Sequence, residues 1–310
     1  MVGLLSVIAM AAQAQILRLP AAACAELGES ADGFEAAWPS WPSRGSGGVA
    51  GSGVRSIAIS GFEAHPAYAQ RTYFWFVPEQ GPAGPMPLVV ALHGTAGSPA
   101  NAYNEARIVR DLWIDAARRH GFAVVSPVAG GSHGSWIAPL AAGDAPTDYD
   151  VIAAAIADIE SRFDIERARR YLWGFSAGGH VALDLVVNPL HEGFGRRQFA
   201  AVGANAGVLA GLACSGLGEA ACRVALRQAF PRLPAQVLVG DADSLRTHAE
   251  GDAPRFLGEG WVDARSYRYE QFAGGHWVGL DHPDRQWDWF CQFGRLLDPI
   301  ERFRLRPTVP

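Results

Sequence analysis

Short apolar runs and longer stretches with helical spacing alternate along most of this 310-residue chain. Runs rich in β-branched and aromatic residues cover 54–60, 72–77, 88–92, 122–126, 170–174, 199–202, 236–239 and 266–271. Helical spacing covers 105–120, 149–163, 177–187 and 284–297. Nothing helical separates the first two strands, so they are predicted to form an antiparallel hairpin. Beyond them the order becomes strand, helix, strand, helix. That order predicts an α/β protein with an open, mostly parallel central sheet and helices on both faces. The central strand candidates are almost continuously apolar, as strands covered on both sides should be. Residues 15–53 read as an irregular N-terminal arm, with Trp38-Pro39-Ser40-Trp41-Pro42-Ser43 and Gly45-Ser46-Gly47-Gly48 as its loop signals. Residues 54–310 read as one domain, with 204–234 as an insertion that could form a small cap.

The N-terminus is a short apolar run ending in Ala12-Gln13-Ala14. It resembles a secretory signal over 1–14, although the usual basic n-region is missing. The run is too short to span a bilayer. Four cysteines suit an exported protein. Cys214 and Cys222 enclose a short Gly-rich loop and are expected to pair. Cys24 and Cys291 would then tie the arm to the last helix. With 49% apolar and 18% charged residues, a large core is available. The net charge of −5 gives no electrostatic footprint for nucleic acid. All 26 basic residues are arginine. The absence of lysine excludes a P-loop lysine, a Schiff base and a Ser-Lys dyad. No Cys or His spacing suggests a metal site.

The most informative segment is Tyr171-Leu172-Trp173-Gly174-Phe175-Ser176-Ala177-Gly178-Gly179-His180. An apolar strand runs into Gly-x-Ser-x-Gly and then into an apolar helix, the context a nucleophile elbow requires. Gly130-Gly131-Ser132-His133-Gly134 also fits the pattern, but Ser135-Trp136-Ile137-Ala138-Pro139 follows it with no helical spacing. Context therefore selects Ser176 and leaves Ser132 in a loop.

A serine nucleophile needs a base, and the base needs an acid to fix its tautomer. On a sheet of this kind the acid and then the histidine follow the serine. Gly240-Asp241-Ala242-Asp243 is the turn after the 236–239 strand. The Gly-x-x-Asp spacing favours Asp243, with Asp241 as the alternative acid. Ala273-Gly274-Gly275-His276-Trp277 follows the last strand, so His276 is the expected base and His282, in Asp281-His282-Pro283, its rival. The remaining histidines show no pairing signal, though His180 should pack beneath the elbow. Two backbone N–H groups would meet the oxyanion. One belongs to Ala177 at the helix start, and the other to Thr95 in Leu92-His93-Gly94-Thr95-Ala96-Gly97.

These stretches, together with Asp148-Tyr149-Asp150-Val151 and its helix, resemble the secreted esterase branch of the α/β-hydrolase fold. Polyhydroxybutyrate-depolymerase-like enzymes and feruloyl esterases are the most similar groups, over roughly 54–298. The resemblance implies Ser176 as nucleophile, Asp243 as acid, His276 as base, and Thr95 and Ala177 as oxyanion donors, with no cofactor. It departs from the depolymerase pattern in two places. Thr95 stands where a cysteine often follows His-Gly, and Trp277 directly follows the catalytic histidine. No stretch reads as a polymer-binding module. An ester with an aromatic or hydroxyacyl group fits better than a crystalline polyester, and Trp136 and Trp277 are candidates to stack on it. The expectation is a secreted serine carboxylic-ester hydrolase. A serine peptidase or acyltransferase on the same triad is the alternative, and a non-catalytic binding protein of this fold a further one.

Overall fold

The computed structural model of the protein describes residues 16–19, 21–24, 40–82, 84–188 and 195–295. The candidate signal segment 1–14, all of 25–39 and the chain after 295 lie outside them. The described strands, in chain order, are β1 (Ile16–Arg18), β2 (Gly51–Ile57), β3 (Arg71–Val77), β4 (Met86–Leu92), β5 (Ala123–Pro127), β6 (Ile165–Phe175), β7 (Ala201–Asn205), β8 (Ala235–Gly240), β9 (Tyr267–Phe272) and β10 (Phe293–Arg295). The helices are α1 (Pro99–Leu112), α2 (Ile114–His120), α3 (Asp148–Arg162), α4 (Ala177–Val187), α5 (Glu219–Gln228), α6 (Arg246–Gly258) and α7 (His282–Phe290).

Eight strands form one sheet in the order β2-β3-β5-β4-β6-β7-β8-β9. The N-terminal pair β2 and β3 is antiparallel, and β3 runs antiparallel to β5. Every later pairing is parallel. This is the predicted sheet. Side-chain alternation explains why its central strands are apolar throughout. Leu88, Val90, Leu92, Val125 and Leu172 pack against Tyr149, Ile152 and Ile156 of α3 and Val181 and Leu185 of α4. Val89, Ala91, Val124, Tyr171 and Trp173 face the other way, toward Val109, Trp113, Ala117, Trp287 and Phe290 of the α1–α2–α7 layer. Both faces of each strand are dry, so no position is left for a polar alternation.

Helix boundaries moved where tertiary packing overrode local spacing. The 105–120 helix is two helices meeting at Trp113. α1 starts earlier, at Pro99, because Ser98 caps it and accepts from the Asn101 N–H at 3.2 Å. Trp113 is fully buried, stacked on Phe290 and edge-on to Trp173 and Phe122. The 284–297 helix ends at Phe290. The chain then forms β10, which pairs antiparallel with β1. α5 and α6 were not anticipated; α6 carries Gly251 and Pro254 internally, which obscures its spacing.

Both expected disulfides form. Cys24–Cys291 joins the N-terminal arm to the end of α7, with Cα atoms 5.0 Å apart, and Cys214–Cys222 joins the turn after β7 to α5 at 5.3 Å. Among the described residues, no helix is long and apolar enough to cross a membrane. The two bridges close loops spanning 267 and 8 residues of sequence separation. The chain-entropy argument therefore predicts unequal effects. Replacing Cys24 and Cys291 by alanine should cost roughly 5 kcal/mol of unfolding free energy, and replacing Cys214 and Cys222 roughly 2–3 kcal/mol. Urea titration of the two double variants checks the order.

Candidate active site

The site is assembled at the C-terminal ends of β4, β6, β8 and β9. Ser176 sits between β6 and α4 with φ 52° and ψ −116°, a conformation a non-glycine residue adopts only under constraint. The constraint is close backbone packing. A Cβ on Gly174 would lie 2.1 Å from the Gly178 carbonyl oxygen, and one on Gly178 would lie 2.5 Å from that of Leu92. Only glycine fits at either place. The Ser176 N–H donates to the Asn205 carbonyl at 2.9 Å, and the Ser176 carbonyl accepts from the His180 N–H at 2.9 Å. The elbow is thus pinned to β7 on one side and to the first turn of α4 on the other.

The predicted acid and base converge on this serine. His276 Nε2 lies 2.9 Å from Ser176 Oγ, and His276 Nδ1 lies 2.9 Å from Asp243 Oδ2. The Asp243 carboxylate is fully buried, and its Oδ1 accepts from the Leu245 N–H at 2.8 Å. The imidazole therefore donates from Nδ1 and accepts the serine hydroxyl at Nε2. Phe175 packs against the His276 ring, with centroids 5.0 Å apart.

The two rivals have other tasks. Asp241 Oδ1 accepts from the Gly274 N–H at 2.9 Å, so it holds the loop that carries His276. His282 is the first residue of α7, buried, with Nδ1 accepting from the Gly279 N–H. Ser132 lies in the loop between β5 and α3, with no helix starting directly after it.

The two candidate oxyanion donors flank the elbow. Ala177 is the first residue of α4, whose first-turn N–H groups have no intrahelical acceptor. Gly94 abuts the serine: a Cβ there would lie 3.2 Å from Ser176 Cβ. This puts Thr95 beside the nucleophile, and its hydroxyl donates to Ser135 Oγ at 3.2 Å. Trp136 is half-buried; its indole N–H donates to the His93 carbonyl at 2.8 Å, and its ring lies 5.0 Å from that of His93. Trp277 is 48% exposed and packs edge-on to Phe272.

The roles of three supporting residues are not assigned by the sequence, although His93 and Asp148 stand in stretches singled out above. His93 is fully buried, its Nδ1 is 2.6 Å from the Gly94 carbonyl, and its Nε2 accepts from the Ala129 N–H at 3.1 Å. Burial pushes its pKa down to about 4, so the ring is neutral, with its proton on Nδ1. Asn205 is buried at the end of β7 and donates from Nδ2 to the Trp277 carbonyl at 3.1 Å. Asp148, at the start of α3, accepts from the Gly130 and Ile137 N–H groups and pairs with Arg71 at 2.8 Å. No pattern distinguishes such residues from ordinary turn and cap positions. His180 lies against the segment after β7, with Nδ1 accepting from the Val208 N–H at 3.1 Å; burial and then the nearby His276 lower its pKa. Among the described residues, no group of three or more His, Cys, Asp or Glu could hold a metal ion.

The His93 environment sets a pH dependence. Its folded pKa lies below the ordinary histidine value, so the unfolded chain takes up the proton first. The resulting stability is complete above about pH 6.5 and is lost as pH falls toward 4. The His93 ring resonance should titrate with a midpoint near 4, well below that of free histidine. Following the ring by NMR while tracking the urea midpoint over the same range checks both.

No family model matches the chain, and no curated protein matches it. Solved structures do. A ferulic acid esterase aligns with 18% identity and a TM-score of 0.53, over 78% of this chain and 97% of its own. A fluorophosphonate-binding serine hydrolase of Staphylococcus aureus aligns with 16% identity and a TM-score of 0.55, over 79% and 99%. An acetyl xylan esterase from Aspergillus awamori aligns with 16% identity and a TM-score of 0.52, over 77% and 99%. Sheet order, elbow and these alignments agree: the chain has the α/β-hydrolase fold.

Proposed function

We propose that the protein is a serine carboxylic-ester hydrolase. The observation that carries this reading is the unbroken chain from Asp243 through His276 to Ser176 Oγ, ending on a strained elbow at a helix N-terminus. Ser176 Oγ attacks the ester carbonyl carbon while its proton passes to His276 Nε2. The carbonyl oxygen becomes an oxyanion and takes hydrogen bonds from the N–H groups of Thr95 and Ala177. Asp243 stays ionised and stabilises the imidazolium. Collapse of the intermediate breaks the C–O bond to the alcohol, which leaves with the proton from His276. Water then attacks the acyl-enzyme, giving its proton to His276. Release of the acid returns that proton to Ser176. No cofactor enters this sequence.

The finer reading is an ester of the feruloyl or hydroxyalkanoate type. Trp277, half exposed and next to the base in sequence, supports this reading as a side chain on which an aromatic acyl group could stack. Two disulfides and the apolar N-terminal run support a secreted or periplasmic protein in which 54–310 is the catalytic domain.

Ser176→Ala should lower kcat on short nitrophenyl esters by about 10⁴-fold or more while circular dichroism stays native. Substantial residual turnover would overturn the assignment. Run beside it, methyl ferulate and hydroxybutyrate oligomers separate the two substrate classes. Activity on an amide but on none of these esters would favour a peptidase.

A further inference from the structure

We propose that Trp136 is a positioning residue for the oxyanion site: its indole holds the backbone from which Thr95 donates. The proposal rests on the serine-hydrolase reading above and gives Trp136 a different task from stacking on substrate. The segment 128–137 is bound to the 93–96 loop at four points. The Trp136 indole N–H donates to the His93 carbonyl at 2.8 Å. The Ala129 N–H donates to His93 Nε2 at 3.1 Å. The Ala96 N–H donates to the Gly134 carbonyl at 3.1 Å. Thr95 Oγ1 donates to Ser135 Oγ at 3.2 Å. Thr95 lies inside this set of contacts, with tied residues before and after it.

The segment is itself fixed from below. The buried Asp148 carboxylate accepts from the Gly130 N–H at 2.9 Å and the Ile137 N–H at 2.8 Å, so one oxygen gathers both ends of the turn. Arg71 pairs with the other oxygen and donates to the Val128 carbonyl at 2.8 Å. Trp136 is thus held at Ile137 and pressed against the His93 ring. Its indole N–H is spent on His93, one residue before Gly94, which abuts Ser176. This bond fixes the His93–Gly94 peptide plane, and the ring contact holds the His93 imidazole, whose Nδ1 donates to the Gly94 carbonyl at 2.6 Å; that carbonyl shares its peptide plane with the Thr95 N–H and so sets its direction. Donors of this kind act only if aimed before the charge develops. A misplacement of about 1 Å can cost up to about 10²-fold in rate.

Trp136→Phe keeps an aromatic ring against His93 and removes the N–H. On nitrophenyl acetate, kcat should fall about tenfold with KM changed less than about twofold. Affinity for a trifluoromethyl ketone, whose hemiketal with Ser176 carries the oxyanion, should fall by the same factor. Affinity for the carboxylic acid product should hold. If Trp136 instead contacts the acyl group, KM for methyl ferulate will rise, and kcat on the acetate will be unchanged. That result, or no change in any parameter, overturns the proposal. Should Trp136→Phe fail to fold, Ser135→Ala removes a surface contact of the same bundle, and a smaller loss of kcat at constant KM is expected; an unchanged kcat counts against the proposal. Wild-type labelling at Ser176 by a fluorophosphonate tests the underlying reading separately: without it the esterase assignment fails, whatever Trp136 does.

Discussion

The elbow exists because three pieces of backbone lie closer together than any side chain permits. Gly174 meets Gly178, and Gly178 meets the carbonyls of Leu92 and His93. This contact sets the distance between the end of β4 and the start of α4, and so the place of Ser176. The positive φ at Ser176 costs on the order of 1–3 kcal/mol. Burial of α4 offsets it: Val181, Leu183, Leu185 and Val186 are all removed from water, each worth on the order of 1.5–3 kcal/mol. The apolar helix after the serine is therefore what keeps the strained turn in place.

Around the serine, paired residues divide their labour. Asp243 holds the His276 ring, while Asp241 holds the loop that delivers it. Asn205 binds both sides of the cleft, taking the Ser176 N–H on its carbonyl and giving its amide to the Trp277 carbonyl. His276 and His93 are both histidines on loops after strands, but His276 reaches Ser176 Oγ while His93 is sealed in and neutral. Exposure and neighbours, not residue type, separate the ring placed to accept a proton from the ring that props up a loop.

Much of this was legible in the sequence, for reasons that differ by element. Strands β4, β5, β8 and the second half of β6 announce themselves because both their faces are buried, leaving nearly continuous apolar runs; the first half of β6, with Glu166, Arg167, Arg169 and Arg170, gives no such signal. Ser176 was legible because glycines must stand on both sides of it. Asp243 and His276 follow from chain order and turn position. The choice between Asp243 and Asp241 was not fully legible, since both leave the same strand and only a hydrogen bond distinguishes them. The break at Trp113 was invisible because it answers to Phe290 and Trp173, both distant in sequence, as well as to nearby Phe122. The strand β10 depends on β1, at the opposite end of the described chain, and no local pattern can encode that pairing. The roles of His93, Asp148 and Asn205 were hidden for the same reason: a buried polar residue shows its purpose only through its partners.

The four ties between the 128–137 segment and the 93–96 loop also bear on how such a site can change. Loops at strand ends are usually free to vary in length and composition while the scaffold stays fixed. Here the loop that borders the cleft is also the strut of the backbone beside the nucleophile. Grafting a foreign loop between β5 and α3 to accept a new ester would therefore alter the chemical step along with the choice of substrate. The loop carrying Trp277 is held by separate contacts, through Asp241 and Asn205. For an engineer, or for natural selection, the two walls of the cleft are not equally open to revision.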